Sequence, residues 1–150
     1  MNKGFLVSAI VVMFLGVASA NILYRKTNGL DKSKNYTYLL ELGTYDNKEN
    51  LFDDTKDIND ILVLKENDKY QAVVGISKNK NNLEKISKLY ANMGYNMFIK
   101  PANITNKAFL INLEQFDKLL NEAKRDDEVK TINSVILSSY EEFIINKESM

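Results

Sequence analysis

The sequence predicts an α+β fold: a four-stranded antiparallel sheet built from two pseudo-repeats, with an apolar segment before it and a helical hairpin after it. Three observations carry this. First, Tyr38-Leu39-Leu40-Glu41-Leu42-Gly43 with Asn47-Lys48 and Asn50-Leu51 recurs 32 residues later as Tyr70-Gln71-Ala72-Val73-Val74-Gly75 with Asn79-Lys80 and Asn82-Leu83. Second, each copy ends in an apolar run closed by lysine, Ile61-Leu62-Val63-Leu64-Lys65 and Asn96-Met97-Phe98-Ile99-Lys100. Third, beyond Pro101 the apolar residues switch to helical spacing. A repeat of this length is a unit that cannot bury its own apolar face, so the two halves lean on each other.

The elements follow in order. Gly4 to Tyr24 carries no charge, about the ~20 residues that a helix needs to cross hydrocarbon. Two readings stay open for residues 1–24. Ala18-Ser19-Ala20 has the small-x-small form of a signal-peptidase site, whereas Ile22-Leu23 extends the apolar run to full spanning length, which favours an uncleaved anchor. Residues 25–35 form a short polar linker with an Asn28-Gly29 turn signal. Arg25, Lys26, Lys32 and Lys34 outnumber Lys3, a balance that favours a cytoplasmic C-terminal part.

Residues 36–101 read strand, helix, strand, strand, helix, strand. Alternation puts Tyr36, Tyr38, Leu40 and Leu42 on one face of the first strand, and Thr37, Leu39, Glu41 and Gly43 on the other. Gly43 and Gly75 are expected to close their strands, and Asn47 and Asn79 to cap the helices. The first helix, near Lys48 to Asn59, offers Leu51, Phe52, Thr55 and Ile58 as its apolar face; the second offers Leu83, Ile86, Leu89, Tyr90 and Met93, and ends at Gly94. Glu66-Asn67-Asp68-Lys69 makes a hairpin of the middle strands, and Pro101 stops the last one. With both helices on one face, the other sheet face is expected to be open and to carry function. In residues 102–150, one helix is marked by Phe109, Leu110, Leu113, Phe116 and Leu120, and a second by Val129, Ile132, Ile136, Tyr140 and Phe143. The acids of Arg125-Asp126-Asp127-Glu128 suit the second helix's N-terminus. This hairpin either packs on the domain or offers a partner surface.

Composition removes several classes of function. With 20 basic and 20 acidic residues the formal charge is +0, which draws no polyanion. Cys and His are both absent, so there is no thiol nucleophile, no imidazole base and no soft-metal ligand set. No Gly-rich phosphate loop occurs, and the adjacent acids Asp53-Asp54 and Asp126-Asp127 sit in polar segments where they stay solvated. The expectation is a protein that is not an enzyme and needs no cofactor or metal. The βαββαβ order is that of ferredoxin-like and RNP-type sheets, yet Gln71-Ala72-Val73-Val74-Gly75 lacks the aromatic and basic signature of an RNA-binding strand, so nucleic acid is not expected.

The stretch Tyr38 to Tyr45, its half-repeat from Tyr70 to Gly75 and the terminal Phe98-Ile99-Lys100 resemble the SPOR (sporulation-related repeat) domain. The order of span, linker and domain fits that family too, and the second half, which reads Val74-Gly75-Ile76-Ser77-Lys78 and is followed by a helical tail, is similar to stage II sporulation protein B-like membrane proteins of Gram-positive bacteria. The resemblance implies a single-pass membrane protein with its C-terminal domain outside the cytoplasm. It also implies binding of peptidoglycan glycan strands at division or sporulation septa, with septal or sporulation proteins as partners. On the open face the ligand-binding candidates are Leu39, Glu41, Gln71, Val73 and Phe98, the last as a sugar-stacking ring. The family usually has glutamine in the first strand where this chain has Glu41; a carboxylate only accepts hydrogen bonds, whereas an amide also donates. The alternative is a protein-interaction scaffold of the same fold, in which the hairpin covers Leu39 and Val73 and glycan binding is lost.

Overall fold

A computed structural model describes residues 36–148. Its elements are β1 (Thr37–Tyr45), α1 (Lys48–Asp54), β2 (Leu62–Glu66), β3 (Lys69–Ser77), α2 (Lys80–Ala91), β4 (Phe98–Ala102), α3 (Lys107–Glu122) and α4 (Asp126–Glu148). The strands make one antiparallel sheet in the order β2-β3-β1-β4, so the expected βαββαβ arrangement is present. The repeat survives in three dimensions: β3 begins 32 residues after β1, and α2 begins 32 residues after α1. Both helices start on an asparagine cap. Asn47 Oδ1 accepts from the Asn50 amide at 2.8 Å, and Asn79 Oδ1 from the Asn81 amide at 3.0 Å. The span and linker expected over residues 1–35 lie outside the described residues. Among those described, no helix is long and apolar enough to cross a membrane.

Several local expectations need correction. Helix α1 stops at Asp54, well short of Asn59, because Thr55 caps it and its Oγ1 donates to the Leu51 carbonyl at 2.7 Å. So short a helix has few inward positions: Leu51 is buried, as are Thr55 and Ile58 just beyond it, whereas Phe52 is exposed. Met93 is exposed as well, since it lies past the end of α2, where Gly94 takes a φ of +80°. The strands run two residues beyond Gly43 and Gly75, so neither glycine closes its strand. Gly75 instead permits close packing, because a Cβ there would stand 3.2 Å from Leu83 Cδ2 and 3.3 Å from Ile86 Cδ1. Pro101 does not stop β4 but lies within it, which an edge strand tolerates because a missing N–H there breaks no central ladder. The β2–β3 hairpin closes as expected on Asn67 and Asp68, both at positive φ, the geometry of a two-residue turn matched to strand twist.

The largest correction concerns the sheet face opposite α1 and α2. Leu39, Leu62, Val73 and Ile76 point there by register and are nevertheless buried, each 7 % exposed or less. They share one apolar core with the hairpin residues Leu113, Phe116, Ile132, Ile136 and Leu137. The face is therefore partly covered, for a simple reason: a sheet face rich in leucine, valine and isoleucine and a hairpin with two apolar stripes both lose water-exposed area by meeting. Polar contacts fix how they meet. Asp117 of α3 accepts from the Ser77 hydroxyl, from the Lys78 amide at 2.9 Å and from Asn82 Nδ2 at 3.1 Å. Lys85 of α2 donates to the carbonyls of Leu120, Asn121 and Ala123, closing the C-terminus of α3. On α4, Asn133 Nδ2 donates to the Val74 carbonyl at 2.8 Å. That carbonyl is free because the β1–β3 register slips at Val74, one residue past the end of the β2 pairing. Phe109 packs against Tyr140 and Phe143 with ring centroids 4.8 and 5.9 Å apart, zipping the start of α3 to the end of α4.

Candidate functional site

Between the covered sheet face and the C-terminal part of α4 remains an open cleft of about 1070 Å³. Leu39, Glu41, Gln71 and Leu64 line it from the sheet, Lys100 to Ile104 from β4 and the chain after it, and Tyr140, Glu141, Ile144 and Ile145 from α4. Strand register explains the sheet side. Glu41 lies opposite Val73 on β3 and Phe98 on β4, and Leu39 opposite Ile76 and Lys100, so alternation places all of them on one face.

The five residues singled out in the sequence meet different fates. Leu39, Glu41 and Gln71 come together in the cleft. Val73 shares their face but is fully buried in the core, where no ligand can touch it. Phe98 is 57 % exposed on the edge strand and outside the cleft lining. Gln71 is engaged already, its Nε2 donating to Glu66 Oε2 at 2.9 Å.

Glu41 is the unusual member. Its side chain is only 2 % exposed, and the Lys100 ammonium approaches its Oε2 at 2.5 Å across the diagonal of the β1–β4 ladder. That oxygen has no partner in hydrogen-bond geometry, so the charge of Lys100 is its compensation for lost water. Lys100 itself is half exposed. The pair thus offers an acceptor-only carboxylate on the cleft wall and a donor that reaches into solvent.

The lysines around Tyr70 at the cleft are polar but committed. Lys48 and Lys65 lie over the Tyr70 ring at 5.6 and 6.0 Å, and Lys65 also pairs with Asp68 at 3.4 Å. Burial raises the Tyr140 phenol above its ordinary value, so it is a protonated donor at neutral pH. Among the described residues no three acids gather as a metal-binding group. Elsewhere, Asp117 is pushed up by burial against the opposing hydrogen bonds from Ser77, Lys78 and Asn82. Glu128 is held below the usual carboxylate range by the Arg125 and Lys124 amides at the start of α4.

Sequence reasoning missed Lys100 and the helical wall. Lys100 is two residues from Phe98 and so shares its face, a signal that alternation alone contained. Tyr140 and Ile144 fall four residues apart on a helix, but nothing local says that this stripe turns towards the sheet.

No family model matches the chain, and no curated protein matches it. Among solved structures the chain is similar to the solution structure of the peptidoglycan binding domain of B. subtilis cell wall lytic enzyme CwlC, with 18 % identity and a TM-score of 0.41 over 50 % of this chain and 100 % of that one.

Proposed function

We propose that this chain is a non-enzymatic module that binds peptidoglycan glycan strands. In this reading it is of SPOR type, is held at the membrane by the Gly4–Tyr24 span, and acts outside the cytoplasm at division or sporulation septa. The observation that carries the proposal is the open cleft on the sheet face, where Leu39, Glu41 and Gln71 combine apolar surface with hydrogen-bonding groups. Such a mixture suits a pyranose, which presents apolar faces and a rim of hydroxyls. The doubled Tyr38–Gly43 and Tyr70–Gly75 motif supports the same reading. Full-length protein in mild detergent, incubated with purified sacculi and pelleted, should be retained well above a control protein of similar charge. Equal recovery of the two in the supernatant would sink the proposal. A reporter fused after Met150 that works only outside the cytoplasm tests the orientation, and its silence would remove the wall from reach.

A second reading has its own support. Val73 is out of reach and Lys100 already occupies Glu41, which favours a protein-interaction scaffold that no longer binds glycan. Glu41→Gln separates the two. A gain of sacculus retention over a non-binding wild type identifies a degenerate glycan binder.

A further inference from the structure

We propose that the C-terminal helix α4 is a wall of the ligand site and not a removable cover, so that glycan is gripped between the sheet and this helix. The inference rests on the glycan-binding reading and adds to it a part of the chain outside the repeat.

Three observations lead there. First, α4 cannot leave the sheet without opening the core. Val129, Ile132, Ile136 and Leu137 are each 6 % exposed or less, and the buried Asn133 amide holds the Val74 carbonyl. Second, the anchored part ends where the cleft begins. Among the described side chains Ser139 is the last buried one of the helix, and beyond it Tyr140, Glu141, Ile144 and Ile145, half-buried or exposed, line the cleft. Tyr140 and Ile144, one helical turn apart, therefore stand as a pre-formed strip facing Leu39, Glu41 and Gln71 across open space. Third, the strip is set in place by the Phe109 ring against Tyr140 and Phe143, so its geometry does not depend on ligand. A rigid apolar strip with a phenol donor, opposite a buried carboxylate beside a half-exposed ammonium, is amphipathic on both sides. The chemistry it fits is a flat, hydroxyl-rich sugar segment whose ring face meets Tyr140 and Ile144. Its hydroxyls would then accept from the half-exposed Lys100 ammonium, which the buried Glu41 carboxylate behind it holds in place. The cleft, at about 1070 Å³, lies just above the ~300–1,000 Å³ range of sites for compact ligands and is open, as an extended polymer needs.

The wall and a cover predict opposite signs. Full-length protein in mild detergent is titrated against purified sacculi, as wild type, Glu141→Trp, which adds bulk at an exposed position on the strip, and Tyr140→Ala, which removes the phenol. Both variants should lower retention at least about fivefold while far-UV circular dichroism and the melting midpoint of Glu141→Trp stay those of wild type. If Tyr140→Ala loses its fold, Glu141→Trp decides alone. Unchanged or stronger retention of Glu141→Trp overturns the wall, because a bystander helix gives no change and a displaced cover gives a gain. Absence of retention by wild type itself refutes the underlying glycan-binding reading instead, so the two failures are distinguishable.

Discussion

Replacing Lys100 by methionine keeps the stem of the side chain and removes the charge that answers Glu41. The carboxylate then stays 2 % exposed with Oε2 unpaired. Removing one member of a fully buried pair costs about 3–5 kcal/mol, whereas an exposed pair contributes about 0–1 kcal/mol. The Lys100 side chain is 49 % exposed and the pair borders an open cleft, so the loss falls between these limits, at about 1–3 kcal/mol. For a folded unit of this size that lowers the melting midpoint by roughly 3–10 °C. Urea unfolding of the polypeptide 36–150, followed by far-UV circular dichroism, measures it as a lower midpoint at unchanged slope. Adding Glu41→Gln to the Lys100→Met background should recover most of the loss, because the uncompensated charge is gone. A Lys100→Met protein as stable as wild type, or a double variant no better than the single one, would show that the pair is not coupled and that solvent already serves the carboxylate.

Other sites give equally direct expectations. Gly75→Ala pushes a methyl to within 3.4 Å of Leu40 Cβ and closer still to Leu83 and Ile86, and should destabilise by about 1–3 kcal/mol in the same unfolding assay. Asn133→Leu leaves the Val74 carbonyl without its donor and should cost about 1–3 kcal/mol, with hydrogen exchange accelerating first where α4 meets β3. Asp117 has a folded-state pKa above its unfolded value, so the folded protein binds the extra proton in the window between the two. Its contribution to stability therefore falls as pH rises through that window and recovers on acidification. The stability gap between wild type and Asp117→Ala should accordingly widen as pH is lowered from 7 towards 4. A gap that narrows would contradict the assignment of burial as the dominant cause.

What the sequence determined by itself is what repeats or caps locally. The 32-residue step, the asparagine caps at Asn47 and Asn79, the Asn67-Asp68 turn and the two C-terminal stripes are all written in residues within a few positions of the structure that they make. Side-chain parity along β1 and β4 also placed Leu39, Glu41 and Phe98 on one face. Tertiary structure decided which of these residues a ligand can reach. Helical spacing marks an apolar stripe without saying what it packs against, so the route of α3 and α4 onto the sheet had no local signature. It depends on distant partners, the Asp117 clasp on Ser77 and Lys78 and the Asn133 bond to Val74. That route buried Val73, left Phe98 outside the cleft, and brought Tyr140 to face Glu41 from a hundred residues away. The same distance hid the meaning of Glu41. A lone acid in a strand reads as a solvent-facing group, and only the neighbouring strand, by setting Lys100 on its diagonal, makes it half of a buried ion pair on the wall of a cleft.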